Sequence, residues 1–448
     1  MYKQKRYLKM SHVQIIALGF FLIIMIGTVL LMLPVSTRNG QGAEFLEALF
    51  TATSASCVTG LIVQDTSLYW SNFGQAVILT MIQIGGLGFM TIATMFFMFL
   101  RKRVHLRGRE LLSESISVNQ VGGIMRLAKK ILLGTFLIEG IGALLLMIRF
   151  VPLYGAQGIW MSVFHSVSAF CNGGFDLMGQ HTGAYSSLTG FVDDWLVNFV
   201  IMILIIVGGI GFIVWDDVLT HKFKIKRYHL HSKIVLFMSA ILIFGGAVIF
   251  FLVERQATGA GMSLGNQILA ALFDSVTART AGFNTVDTAL LSDAGKLVTI
   301  ALMFIGGSPG STAGGVKTTT IMVLMLYSFS YMRKERGTSI FGRSLEEDAL
   351  RKASAVFFTN LMLALGVTII ISSIQQLPML DLMFETFSAI GTVGMSTGLT
   401  RELNDVSRVL IIFLMYCGRV GSLSFANALA GKRKTAPVRD AVEKITIG

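Results

Sequence analysis

Four short segments of this chain have the composition and spacing to hold a dehydrated cation. They read Phe50-Thr-Ala-Thr-Ser-Ala-Ser-Cys-Val-Thr-Gly60, Phe164-His-Ser-Val-Ser-Ala-Phe-Cys-Asn-Gly-Gly174, Phe273-Asp-Ser-Val-Thr-Ala-Arg-Thr-Ala-Gly282 and Phe384-Glu-Thr-Phe-Ser-Ala-Ile-Gly-Thr-Val-Gly394, and they recur roughly every 110 residues. Phe precedes the closing glycine by ten positions in three of them and by nine in the third. Four quasi-equivalent segments of one chain can surround a single axis, where inward-facing backbone carbonyls replace the hydration shell of an ion. Such a ring makes and breaks no covalent bond. It exchanges water for fixed oxygen and lets the ion pass.

Holding these segments requires a scaffold, and composition identifies its solvent. The 448 residues are 53% hydrophobic and 14% charged, with a mean hydropathy of +0.70, too apolar for water and too long for one span. Apolar stretches lie near 11–33, 76–100, 128–151, 196–219, 232–253, 297–327, 353–374 and 407–430. Each approximates the roughly 20 residues that cross about 30 Å of hydrocarbon. Every filter-like segment lies between two of them, so the period is span, re-entrant segment, span, in repeats 1–103, 104–220, 221–335 and 336–448. This predicts an all-α polytopic membrane protein with eight crossings, four pseudo-symmetric repeats around one central pore, and both termini on one side. A secretory signal is the competing reading of 11–33, but the stretch exceeds a signal core and no small-residue cleavage site follows.

Within each repeat the residues before the glycine read as a half-helix entering from outside, over 44–54, 158–168, 266–277 and 378–388. Their C-terminal ends, each carrying roughly half a negative charge, would favour a cation near the membrane centre. Beyond them the backbone must leave helical geometry, which at membrane depth is tolerated only where it is buried in protein or lines water. Glycine adopts the required conformations without steric cost.

Charge places the termini. Of 37 Lys and Arg, 28 fall in 1–10, 101–130, 221–233, 328–352 and 431–448, the segments on the terminal side, which marks that side as cytoplasmic. The opposite side carries 14 Asp and Glu, among them Glu44, Glu47, Asp176, Asp193, Asp194, Asp274, Asp381 and Glu385. These either raise the local cation concentration at the entrance or simply solvate loops. The basic inner face reads as a topology signal rather than a nucleic-acid surface. Three cysteines give no disulfide framework, and Cys57 and Cys171 occupy matching positions suited to small, polarizable packing. The loops 101–126, 221–233 and 331–352 mix apolar and charged residues, as in Arg107-Gly-Arg-Glu-Leu-Leu and Phe341-Gly-Arg-Ser-Leu-Glu-Glu-Asp. That is the manner of contact surfaces, although inert topogenic loops would also be basic.

A second glycine-rich element closes each repeat: Gly85-Gly-Leu-Gly-Phe89, Gly208-Gly-Ile-Gly-Phe212, Gly306-Gly-Ser-Pro-Gly310 and Gly418-Arg-Val-Gly421. The first two suggest close helix contacts. The third continues through Gly306, Gly307, Ser308, Pro309, Gly310, Ser311, Thr312, Ala313, Gly314 and Gly315 to Lys317, so the span breaks there into a loop below the ring. Arg419, inside an apolar stretch, is a functional candidate by position and has five N–H donors to offer the loop's carbonyls. Glu139, also mid-span, has no evident partner. Residues 310–318 approximate a phosphate-binding loop, but Val316 separates glycine from lysine and no soluble strand precedes it. No metalloprotease helix, nucleophile elbow or dinucleotide fingerprint occurs, so an enzyme is not expected.

At these residues the chain resembles the superfamily of Trk, Ktr and HKT potassium transporters, most closely its bacterial KtrB branch, over essentially its whole length. The resemblance implies that Gly60, Gly174, Gly282 and Gly394 are the filter glycines. Potassium would be held by carbonyls of the residues before them: Val58 and Thr59, Asn172 and Gly173, Thr280 and Ala281, Thr392 and Val393. It implies that Gly306 to Gly315 with Lys317 form an intramembrane gating loop and that Arg419 faces the filter. It further implies potassium uptake across the bacterial cell membrane through a channel-like pore, with potassium as substrate and sodium as an activator. The implied partners are membrane lipid, a second copy in a homodimer, and a cytosolic ring of nucleotide-binding regulatory subunits of the RCK type that opens the gate. No covalent cofactor and no nucleic acid are implied, and nucleotide acts only through that ring. The competing class is an alternating-access cation carrier or the membrane subunit of a cation pump. Such proteins place coupling carboxylates near the midplane, where Glu139 is the clear candidate.

Overall fold

The computed structural model describes residues 11–88, 91, 106–115, 123–222, 224–334 and 337–421. Its regular structure is helical apart from one short hairpin, β1 (Ser339–Ile340) with β2 (Arg343–Ser344). The first repeat holds α1 (His12–Leu31), α2 (Phe45–Cys57) and α3 (Asn72–Leu87), after which comes α4 (Leu106–Ser115). The second holds α5 (Ile124–Tyr154), α6 (Ala156–Phe170), α7 (Trp195–Gly209) and α8 (Phe212–His221). The third holds α9 (Leu230–Glu254), α10 (Leu264–Thr277), α11 (Asp293–Phe304) and α12 (Thr318–Met332), and the fourth α13 (Glu347–Ile374), α14 (Met379–Gly391) and α15 (Asp405–Val420). Each repeat is thus a long helix, a short one and a third that stops early.

Among the described residues, α1, α5, α9 and α13 are long and apolar enough to cross a membrane, and α7 with α8 forms a pair bent by 96°. The third helices begin alike. Ser71, Asp194, Ser292 and Asn404 accept from the backbone N–H of Gly74, Val197, Gly295 and Ser407, caps worth about 1 kcal/mol each. They also end alike, at glycines with left-handed backbone: Gly88 at φ 78°, Gly211 at 96° and Gly421 at 92°. In the third repeat α11 ends at Phe304, ahead of the glycine-rich run. The second glycine element is therefore more than a helix contact. Gly85 and Gly208 do pack so closely that an added Cβ would strike the Ser56 and Phe170 carbonyls, but Gly211 also breaks its span, because glycine alone takes that φ freely.

The short helices are held by what surrounds them. The motif phenylalanines Phe50, Phe164, Phe273 and Phe384 are fully buried, as are Ala55, Ala169, Ala278 and Ala389 five residues on. A buried Phe contributes 150–250 Å² of contact, and the alanines let neighbouring backbones approach. The third helix of each repeat packs on the short helix of the next: α3 on α6, α7 on α10, α11 on α14, and α15 back on α2. That last contact closes the circle, and Tyr416 fastens it by donating to the Ala17 carbonyl at 2.7 Å. Outside, α5 exposes Leu133, Phe136, Leu137, Leu144 and Ile148, and α9 exposes Phe244, Val248 and Leu252. Apolar surface of this extent needs hydrocarbon around it. The chain is a multi-pass membrane protein built from four pseudo-symmetric repeats.

Candidate ion-binding ring and the loop beneath it

The same local geometry occurs four times after the short helices. Val58, Asn172, Thr280 and Thr392 take left-handed backbone, with φ of 57°, 59°, 75° and 50°, and the glycine two residues later does the same at 94°, 68°, 83° and 93°. Left-handed backbone costs a residue with a side chain on the order of 1–3 kcal/mol, and such strain gathers at functional sites. Because the first and fourth turns serve as helix caps, α2 and α14 run three residues beyond the stretches read from hydropathy, to Cys57 and Gly391. The turn is closed by Thr59 N–H to Ser54 O at 2.8 Å, Gly173 to Ser168 at 2.6 Å, Ala281 to Thr277 at 2.9 Å and Val393 to Ser388 at 2.9 Å. In the third repeat this bond spans one residue fewer, which absorbs the shortened motif. Ser54 and Ser388 then turn their hydroxyls to accept from the N–H of Gly60 and Gly394, at 3.0 and 3.1 Å.

The four glycines meet. A Cβ on Gly60 would lie 2.6 Å from the Gly173 carbonyl oxygen, on Gly174 2.8 Å from that of Ala281, and on Gly282 2.5 Å from that of Val393. On Gly394 it would strike the Thr59 carbonyl. Each glycine therefore faces the carbonyl of the residue before the next glycine, in the cyclic order one, two, three, four, one. Asn172 ties the second strand to the third, donating from Nδ2 to Thr280 Oγ1 at 3.3 Å. A vestibule of about 600 Å³ opens on the ring, lined by all four glycines and by Asp176, Tyr185, Asp287 and Arg401. There the Arg401 guanidinium stacks on the Tyr185 ring at 4.2 Å.

The outer carboxylates are largely spent inside the fold rather than spread on an acidic face. Asp176, Asp274 and Glu385 are buried. Asp194 caps α7 and pairs with Arg149, Asp381 pairs with Lys296 at 2.8 Å, and Glu47 accepts from Gln64 and Tyr69. Glu385 accepts from Ser396 Oγ at 2.6 Å, Thr397 N–H at 3.1 Å and Thr400 Oγ1, anchoring the chain that leaves Gly394. His165, at the same position after the motif Phe, receives the Leu177 N–H at 3.4 Å. Sequence reading missed this supporting position, although its offset from the phenylalanine marked it.

The glycine-rich run lies directly against the strands. Between α11 and α12, Ile305 and Val316 form a parallel bridge, and Gly314 sits against the Thr392 side chain. Thr312 Oγ1 donates toward the Phe170 carbonyl at 3.2 Å and Asn172 Oδ1 at 3.3 Å. The loop's amides bond across to the end of α7, Ser308 N–H to Gly209 O at 3.1 Å and Thr312 N–H to Gly208 O at 3.3 Å, while Gly310 O receives Phe212 N–H at 2.8 Å. Lys317 Nζ donates to the Ala313 and Gly314 carbonyls at 2.7 and 3.0 Å. Arg419 stands in the last turn of α15 rather than in mid-span, and its guanidinium joins the Thr312 carbonyl to those of Gly85 and Gly86. Glu139 has the partner its sequence did not disclose: Gln83 Nε2 donates to its two oxygens at 3.0 and 3.2 Å.

These features agree with what the chain is similar to. The profile of the TrkH family, described as a cation transport protein, matches residues 3–432. The potassium/sodium uptake protein NtpJ of Enterococcus hirae is 40% identical, with 98% of each chain covered. The Ktr system potassium uptake proteins B of Bacillus subtilis and Vibrio alginolyticus are 40% and 36% identical, covering 95% and 94% of this chain and 94% and 92% of theirs. The crystal structure of the potassium transporter TrkH from Vibrio parahaemolyticus superposes with a TM-score of 0.74 at 17% identity, covering 95% of this chain and 86% of that one, a likeness of fold. The chain belongs to the TrkH family of cation transport proteins and is a transporter rather than an enzyme.

Proposed function

We propose that this chain takes potassium into the cell through the ring of Gly60, Gly174, Gly282 and Gly394. The observation that carries the reading is the cyclic facing of each glycine with the carbonyl of the next strand, which gives an ion four oxygens and no side chain in the way. Potassium as the ion is supported by the names of relatives similar over nearly the full chain, and the name of one of them, the potassium/sodium uptake protein NtpJ, supports sodium as a second participant. The oxygens are those of Thr59, Gly173, Ala281 and Val393, with Val58, Asn172, Thr280 and Thr392 setting the strand geometry before them.

Gly306 to Gly315 with Lys317 is the gate, held beneath the ring by Arg419, whose charge also opposes a cation there. A cytosolic regulatory ring moves it, a role supported by the word system in the relatives' names. The chain sits in the cell membrane as a homodimer, as its resemblance to the KtrB branch implies, and its termini are cytoplasmic on the strength of the Lys and Arg bias. Complementation of potassium-uptake-deficient cells tests the reading. Growth at limiting potassium with the chain, alone or together with its regulatory partner, is the expected result, and failure under both conditions in correctly inserted protein would contradict it.

A further inference from the structure

Among the described residues, three charged side chains line the vestibule above the ring, Asp176, Asp287 and Arg401, and the rest of its wall is uncharged. Asp176 accepts from the Met178 N–H and Asp287 from the Ala289 N–H, both at 2.9 Å. Neither carboxylate has an ion-pair partner among the described residues, so both fields reach into the chamber. A cleft with such carboxylates gathers cations. The pull does not treat all cations alike, because the electrostatic energy doubles with the charge of the ion and its enrichment is therefore squared. Left to the two aspartates, the mouth of a potassium path would concentrate calcium and magnesium over the ring.

Arg401 is placed to oppose this, and three repeats cooperate to place it. It leaves the turn after the fourth strand, where its Nε donates to the Gly398 carbonyl at 3.2 Å. Its guanidinium rests on the Tyr185 ring of the second repeat at 4.2 Å. Tyr185 is itself fixed from the first repeat, giving its N–H to Asp65 Oδ2 at 2.8 Å and its hydroxyl to the Val63 carbonyl at 3.2 Å. Its backbone is left-handed, at φ 60°, a conformation that gathers at functional sites. The cation held there is exposed, keeps its charge at any physiological pH and fills no core. We propose that Arg401 is a specificity residue of the outer vestibule, a fixed positive charge that offsets Asp176 and Asp287 and keeps divalent cations from collecting above the ring. A unit charge about 10 Å from an ion in water changes the local concentration of a monovalent ion about 2-fold and of a divalent ion about 4-fold, so the penalty falls chiefly on the divalent one.

The inference rests on the ring being the potassium path, and calcium binding tests it without transport. Radioactive calcium is bound to the purified full chain in nanodiscs of zwitterionic lipid at low ionic strength. Arg401→Gln should bind calcium about 4-fold more tightly than the wild type, Arg401→Lys should match the wild type, and adding Asp287→Asn to Arg401→Gln should cancel the gain. Should Arg401→Gln fail to fold, Asp287→Asn alone must still weaken calcium binding. In potassium uptake by vesicles, Arg401→Gln should lower the potassium KM about 2-fold and the half-inhibiting concentration of external calcium about 4-fold, and both differences should shrink as an impermeant salt is added. The expected binding without uptake in any variant would contradict the ring as the path and leave the vestibule charge standing. Unchanged calcium binding in Arg401→Gln, or an equal gain in Arg401→Lys, would reduce Arg401 to a clasp between Tyr185 and Gly398 and overturn the inference.

Discussion

Glu385 supports the fourth strand from behind, where its two oxygens take three donors from the chain that leaves Gly394. A glutamine there keeps the shape but replaces one acceptor oxygen with an NH2 group that faces donors. Glu385→Gln should therefore cost about 1–3 kcal/mol, read as a lower melting temperature of the detergent-solubilised protein, and an unchanged melting temperature would show that the anchor carries no weight. Arg419 presents the opposite case, a cation whose hydrogen-bond partners among the described residues are all carbonyls. Arg419→Ala should raise potassium flux in vesicles by freeing Thr312 from α3 and removing a charge that repels the ion, whereas reduced flux would assign Arg419 to holding the path open. The two residues differ in how far they could be read beforehand. An arginine in an apolar run stands out by its cost in hydrocarbon. A carboxylate near the outer surface reads as a solvated charge, and its burial depends on a fold that brings residues 396–400 over it.

At the scale of the element, the break between α11 and α12 was legible because Pro309 and five glycines in residues 306–317 cannot sustain a helix. The break at Gly211 was not. Gly208-Gly-Ile-Gly-Phe212 and Gly85-Gly-Leu-Gly-Phe89 have the same pattern, and that pattern also suits two helices packed closely. Gly211 permits the 96° bend, and the loop of the third repeat bonds to the end of α7 at that point, a tertiary contact absent from local composition. The loop carries no large side chain between Gly306 and Gly315, and its backbone polar groups bond to α7, to Lys317 and to Arg419. Deletion of Gly310 to Gly314 should raise flux and weaken its dependence on the regulatory partner. If deletion abolishes transport in correctly inserted protein, the loop supports the strands instead of obstructing them.

At the scale of the whole molecule, the four-fold plan was visible because the motif phenylalanines and glycines keep their register over the full chain, and all four phenylalanines are indeed buried. What the register could not disclose is how the circle closes. That depends on α15 packing on α2 and on Tyr416 reaching Ala17, contacts between opposite ends of the chain. The loops 101–126, 221–233 and 331–352, of which 101–105, 116–122, 223 and 335–336 lie outside the described residues, are the surface expected to dock the regulatory partner. Charge reversal at both Arg107 and Arg109 should abolish co-purification of the regulatory partner while leaving membrane insertion intact, and intact co-purification would mark these loops as topogenic only.

The ring is the feature on which the transport reading stands. Each glycine there already lies against a neighbouring carbonyl, so even a methyl group must displace an oxygen or narrow the passage. The most direct measurement is potassium uptake into vesicles containing the purified chain, in competition with sodium, for the wild type and for Ala and Ser variants at Gly60, Gly174, Gly282 and Gly394. Ion passage through the ring requires the wild type to prefer potassium and every variant to lose part of that preference. An unchanged sodium competition curve across all four positions would contradict it and move the ion path elsewhere in the molecule.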